Sequence, residues 1–150
     1  MIFYYLDASA WVKRYYEEAG TPHVEKLFSE EYLLGCSSLG LVEVVAALSR
    51  KEKAGQISRP AREEGLSDLE RDWRTLVQIR VWDDIIAQAS HFARQFALRG
   101  ADAIHLASAL SVAQSLTGSD DRVVLVSCDR ELLGAAEASG LEVFNPEGLP

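Results

Sequence analysis

Residues 122–128, RVVLVSC, form an unbroken apolar run followed at once by an aspartate, Asp129. The run is valine-rich and too short for a buried helix, so it reads as a strand covered on both faces, the kind found in parallel sheets. Parallel strands cannot be joined by tight turns; each needs a crossover, usually helical, before the next begins. The rest of the chain meets that demand. IFYYL, residues 2–6, is a strand ending at Asp7, and DASAWVKRYYEEAG continues as a helix stopped by Gly20. Thr21 and Pro22 start a second helix, EYLLGC is a short strand, and Ser37 or Ser38 caps a long helix ending at Gly55. Ser58 and Pro60 open another helix, with Leu66, Leu69, Trp73 and Leu76 at helical spacing. IRVW, residues 79–82, is a brief strand; Asp83 or Asp84 caps the helix DIIAQASHFARQFALRG, and Asp102 begins the next. After the polar loop TGSDD and the valine-rich run, Asp129 begins a last helix and LEVFN is a final strand. This alternation predicts an α/β fold with a short, mostly parallel central sheet and helices on both faces.

The chain has 150 residues and no repeat, low-complexity tract or Pro/Gly-rich linker, so one domain over 1–150 is expected. A composition 48% hydrophobic and 25% charged excludes disorder. No apolar run reaches the ~18 residues that span a bilayer, and MIFYYLDASAW lacks the basic n-region of a secretory signal. Cys36 and Cys128 make neither a disulfide framework nor a zinc-ligand spacing, so a reduced, cytoplasmic protein without membrane contact is expected. The net charge of −8 argues against broad phosphate binding, although a local basic rim can coexist with an acidic whole.

The carboxylates carry the functional reading. Asp7 and Asp129 each end a strand and start a helix, at the sheet edge where open parallel sheets bind ligands. Asp102 stands at the start of the helix in RGADAIHLASAL. Each alone is explained by N-capping, for which Asp is a preferred residue. Glu43 is not: it lies inside LGLVEVVAALS, on a helix face carrying Leu39, Gly40, Ala46, Ala47 and Arg50, where a carboxylate needs water or a cationic, hydrogen-bonding or metal partner. Brought together at one edge, these carboxylates repel one another unless a cation holds them. Hard oxygen donors without a His/Cys set point to Mg²⁺ or Mn²⁺ and to attack on phosphorus.

YLDASAWVKRYYEEAG, SSLGLVEVVAALSR, RGADAIHLASAL and VLVSCDRELLGAAEASGLEVFNP, in that order, resemble the PIN-domain ribonucleases, and among these the VapC-type toxins of toxin–antitoxin pairs. The resemblance spans essentially the whole chain. It implies a three-layer PIN-like sandwich and a Mg-dependent endoribonuclease with Asp7, Glu43, Asp102 and Asp129 as its acids. It implies Mg²⁺, or Mn²⁺, held mainly by Asp7 and Asp102, with a hydroxyl near the last acid matched by Ser127 and with Ser9 as a pocket neighbour. It further implies an RNA substrate, a cognate antitoxin seated in the cleft, and a homodimer.

Other residues read differently. His105, among Ile104, Leu106 and Ala107, reads as a packed, hydrogen-bonded core histidine, and Cys128 as a small strand-end residue. Trp73, Phe92 and Phe96 read as packing. Lys13, Arg14, Arg50 and Arg130, with Lys51 and Lys53, are candidates for a basic rim along a phosphate path, or ordinary solvated charge. Three rival classes are weighed against this reading. A PIN-like binding or scaffold module would carry a vestigial pocket. A Mg-dependent phosphatase that starts from a strand-end Asp wants a second Asp where Ser9 stands. A phospho-receiver wants paired acids after its first strand, and Tyr5 and Leu6 precede Asp7 instead.

Overall fold

The computed structural model describes residues 1–148. Its elements run β1 (Ile2–Leu6), α1 (Ala8–Trp11), α2 (Thr21–Ser29), β2 (Leu33–Ser37), α3 (Ser38–Lys53), α4 (Arg59–Thr75) and β3 (Val77–Ile79). The second half continues α5 (Asp83–Phe96), α6 (Gly100–Ser115), β4 (Arg122–Val126), α7 (Arg130–Ala138) and β5 (Glu142–Phe144). All five strands are parallel, in the order β3-β2-β1-β4-β5. The chain thus moves outward from β1 to β2 and β3, then returns to the other side of β1 for β4 and β5. Right-handed crossovers in opposite directions put helices on opposite faces. Accordingly, α3 packs on α1 and α4, while α6 packs on α5 and α7. The sheet between them is filled by wholly buried side chains such as Leu6, Trp11, Val44, Leu48, Leu106 and Leu125.

Strand direction fixes where a site can lie. β1 pairs with β4 over five residues, from Ile2 opposite Arg122 to Leu6 opposite Val126, so both strands end at the same level. The strand order reverses between β1 and β4, which opens a crevice beyond their carboxyl ends. Asp7 leaves β1 there, and Ser127 and Asp129 leave β4 beside it. Close approach of β1, β2 and β3 depends on Gly35. A Cβ there would lie 2.5 Å from the Phe3 ring and 2.7 Å from the Val77 carbonyl.

Several boundaries depart from the sequence reading. The single helix expected over residues 7–20 breaks after a four-residue α1 and a 3₁₀ turn, Val12–Arg14. Tertiary contacts win there: Trp11 donates to the Tyr15 hydroxyl at 2.9 Å, and that hydroxyl and Arg14 both bind Asp72 of α4, at 2.7 and 3.0 Å. The Thr21 hydroxyl then takes the Lys13 carbonyl that a continuing helix would use. Gly20, at φ +90°, is the N-cap of α2 rather than the end of a first helix. The strand expected at 79–82 lies at Val77–Ile79, because pairing with Gly35–Ser37 sets its register. Trp82 is the residue before α5, so Asp83 and Asp84 occupy its first turn instead of its cap, where they still favour the positive end of the dipole.

The helix α6 contains no single apolar stripe; Asp102, His105 and Ser108 are buried along with Ala103, Leu106, Ala107 and Ala109, as befits a helix packed on more than one side. No helix among the described residues is long and apolar enough to cross a membrane.

Candidate active site at the carboxyl edge of the sheet

Asp7 and Asp129 are helix caps, and each uses only half of its carboxylate for that purpose. Asp7 Oδ1 accepts from the Ala10 N–H at 3.0 Å, and Asp129 Oδ1 accepts from the Leu132 N–H at 3.0 Å. The second oxygens are held by other groups. Ser127 accepts the Asp129 N–H at 3.0 Å and donates its own proton to Asp7 Oδ2 at 2.7 Å. Ser9 accepts the Cys128 N–H at 3.0 Å and donates to Asp7, 2.7 Å from Oδ1 and 2.9 Å from Oδ2. Each serine oxygen accepts a backbone N–H, and its hydroxyl proton goes to Asp7 because an ionised carboxylate can only accept. The turn after β4 and the turn after β1 are pinned to each other through one buried carboxylate.

Asp102 differs from the sequence reading. It is the third residue of α6, behind Arg99 at the N-cap position, and no side chain caps this helix. Its partner is instead Arg99, whose Nε donates to Asp102 Oδ2 at 3.2 Å and whose Nη2 donates to Asp129 Oδ2 at 2.8 Å. An exposed guanidinium thus bridges two acids that stand 27 residues apart in sequence.

Glu43, on α3, joins from the other side of the sheet edge. Its Oε1 lies 2.5 Å from His105 Nε2, and His105 is one turn beyond Asp102 on α6. His105 lies in the core as the sequence indicates, with 1% of its surface exposed, yet its partner is the carboxylate of Glu43.

The electrostatics favour a cation. Burial pushes the Asp7 carboxyl above the usual range, against the pull of His105 and its three donors. Burial also raises Asp102, and the nearby charge of Asp129 adds to it. Burial lifts the Cys128 thiol to about 11 and raises Cys36, so both thiols stay protonated at neutral pH and offer no soft donor. Among the described residues, no three carboxylate, imidazole or thiol groups are clustered closely enough to hold one metal ion by themselves. An all-oxygen donor set with few direct ligands fits Mg²⁺ or Mn²⁺, which keep several waters and take one or two carboxylates. It does not fit zinc, which wants a closed set of nitrogen and sulfur ligands.

The basic residues separate into two groups. Lys13 and Arg14 do not line the crevice as free cations: Lys13 is buried and bound to Glu18 and Glu147, at 2.9 and 2.6 Å. Arg14 is bound to Asp72 and Glu25. Arg130, directly after Asp129, is exposed at the sheet edge, and Arg50 is exposed two turns along α3 from Glu43. Arg99, which binds both Asp102 and Asp129, is the residue at this edge that the sequence alone did not single out. Its spacing of three from Asp102 is the one local signal that could have found it.

Three comparisons with known proteins bear on this geometry. The family described as PIN domain matches residues 4–137. Ribonuclease VapC49 of Mycobacterium tuberculosis is 36% identical over 143 residues, covering 93% of this chain and 92% of that protein. Among solved structures, PAE2754 from Pyrobaculum aerophilum shares the fold with a TM-score of 0.70 at 21% identity, covering 97% of this chain and 90% of that one. A toxin–antitoxin complex from Klebsiella pneumoniae aligns with a TM-score of 0.62 at 14% identity, over 97% of this chain and 98% of that one.

Proposed function

The chain belongs to the PIN-domain family, in its VapC type, and on that premise we propose that it is a metal-dependent endoribonuclease, the toxin of a toxin–antitoxin pair. One observation carries the reading: Asp7 and Asp129 each cap a helix with one oxygen and have the other held by a second set of donors, Ser9, Ser127 and Arg99, the last of which also holds Asp102. Pure caps would not need Ser9, Ser127 and Arg99 to hold their outer oxygens.

Asp7 and Asp102 would hold a divalent cation, with Glu43 and Asp129 completing the acidic pocket. Such an ion, when bound, neutralises charge on a phosphodiester and lowers the pKa of a coordinated water. The chain's own residues do the rest. Ser9 and Ser127 fix the rotamer of Asp7, so its charge does not have to reorganise during reaction. Glu43 or Asp129 accepts a proton from the attacking water as it approaches phosphorus in line with the leaving oxygen. Arg130 and Arg50 remain exposed to guide the phosphate backbone, and Arg99 can exchange a carboxylate for a phosphate. Shape rather than a base code selects the RNA.

The same pocket gives an antitoxin its target. A crevice of carboxylates attracts a cationic side chain, and the Klebsiella pneumoniae complex shows this fold in a toxin–antitoxin assembly. A homodimer and a cytoplasmic site of action complete the proposal. The phosphatase alternative is weaker, because Ser9 stands where that chemistry needs an acid and is used to hold Asp7.

The direct test is cleavage. Purified protein with single-stranded RNA should cut it in Mg²⁺ or Mn²⁺ and be silent in EDTA, and induction in bacteria should give discrete mapped cleavage sites. Intact RNA under both metals would leave the non-catalytic scaffold as the better reading. Arg99→Gln adds a second check. Its guanidinium competes with any cation for Asp102 and Asp129, so the variant should reach half-saturation at a few-fold lower Mn²⁺ in a calorimetric titration, while its RNA affinity falls.

A further inference from the structure

We propose that Tyr5 and His105 form a buried hydrogen-bond chain that aims one oxygen of Glu43, making His105 a positioning residue for the acidic site. The inference rests on the ribonuclease reading above and adds a device to it. Three contacts define the chain: the Ser37 N–H donates to the Tyr5 hydroxyl oxygen at 3.2 Å, that hydroxyl lies 2.8 Å from His105 Nδ1, and His105 Nε2 lies 2.5 Å from Glu43 Oε1.

Proton counting sets the direction of each link. Tyr5 is fully buried, and a phenol holds its proton at neutral pH, so its hydroxyl has one proton to donate. Its oxygen already accepts from Ser37, and its single proton is therefore available for Nδ1. With Nδ1 as acceptor, the imidazole proton must sit on Nε2, where it donates to Glu43. The opposite tautomer would press a bare nitrogen lone pair against a carboxylate oxygen. A second proton on the ring would leave Nε2–H in place, so the bond to Glu43 holds in either charge state.

The backbone is shaped for this contact. A Cβ on Gly40 would run into Cys36 Sγ and lie 3.4 Å from His105 Cε1. Only glycine lets the first turn of α3 settle there, and Glu43 follows one turn later on the same side. Glu43 keeps 32% of its side chain exposed, so Oε1 is fixed by a buried donor while the rest of the carboxylate stays open to solvent. The arrangement parallels outer partners that orient ligand groups and whose loss costs about 10–100-fold in activity or metal affinity.

Tyr5→Phe tests the chain with the packing preserved. Proton–nitrogen NMR of the wild type, without metal, should show His105 protonated at Nε2 with an exchange-protected proton; Tyr5→Phe should lose that protection. In RNA cleavage, Tyr5→Phe and His105→Leu should lower kcat about 10–100-fold with KM unchanged. His105→Gln, which keeps an N–H donor, should recover part of the loss. A His105 ring protonated only at Nδ1, or folded Tyr5→Phe and His105→Leu proteins with wild-type kcat, would overturn the proposal. A wild type that cleaves no RNA sinks the ribonuclease reading instead; the NMR result and the Mn²⁺ affinity of His105→Leu, expected to be weaker than wild type, then decide the positioning role separately.

Discussion

Asp7→Asn should abolish RNA cleavage, lowering it by about 10²–10³-fold, the usual effect of removing one charge-stabilising group from a preorganised site. The physical reason lies in how Asp7 is held. It is 3% exposed and accepts from Ala10, Ser9 and Ser127, so the negative charge is confined to one place and one orientation. Asparagine keeps an oxygen for the Ala10 N–H and so preserves the cap. Its amide NH₂, however, faces the Ser127 hydroxyl, whose oxygen already accepts from Asp129, and a cation loses its principal anionic ligand. The fold should survive, because the substitution also removes a buried charge whose desolvation its three donors offset only in part. Circular dichroism should match the wild type and the melting temperature should not fall by more than a few degrees. Full metal-dependent activity in Asp7→Asn would remove Asp7 from the site.

The second large effect is a stability that depends on metal and pH together. Asp7 and Asp102 both titrate above the ordinary carboxylate range, Asp7 through burial and Asp102 through burial and the charge of Asp129. A carboxyl raised on folding binds its proton more tightly in the native state. Its contribution is present in full below the unfolded value, ~3.9 for Asp, and is lost as pH rises through the folded value. Without divalent cations, these two groups should therefore make the protein more stable as pH falls from neutral toward the unfolded value. Asp121, held below the usual range by the N-terminal ammonium, works in the opposite sense, and only below that window.

A divalent cation at neutral pH replaces the missing protons. At a hundredfold excess over its Kd it adds about 2.7 kcal/mol. For a domain of this size that is a rise in Tm of roughly 5–10 °C. The rise should shrink as the pH is lowered and protons compete for the same oxygens, and should vanish in Asp7→Asn. Scanning calorimetry across that pH range, with EDTA, Mg²⁺ or Mn²⁺, reads all three effects. A melting temperature indifferent to both ions at pH 7 would favour the vestigial-pocket scaffold.

The sequence by itself determined the alternation of strands and helices, because continuous apolar runs and capped amphipathic stretches are local signals. It also marked Asp7 and Asp129 as strand-end acids and Glu43 as a carboxylate out of place on an apolar helix. The PIN resemblance, now supported by the family match and by VapC49, rests on those same segments. Local signals erred where distant contacts overrode them. The first helix breaks because Asp72 binds Tyr15 and Arg14 from another helix, and β3 is set by pairing with β2.

What only the tertiary structure decided is which oxygen of each acid does what. Capping is readable from one strand–helix junction, but the second oxygen of Asp7 is claimed by Ser127, 120 residues away. The partner of His105 is Glu43, 62 residues away, and no periodicity encodes such a pair. Asp102, which reads as a cap in RGADAIHLASAL, is left to Arg99 and the crevice because the helix begins before it. A sequence specifies which groups are present along the chain. Their free valences depend on which donors the fold has already brought to the other side.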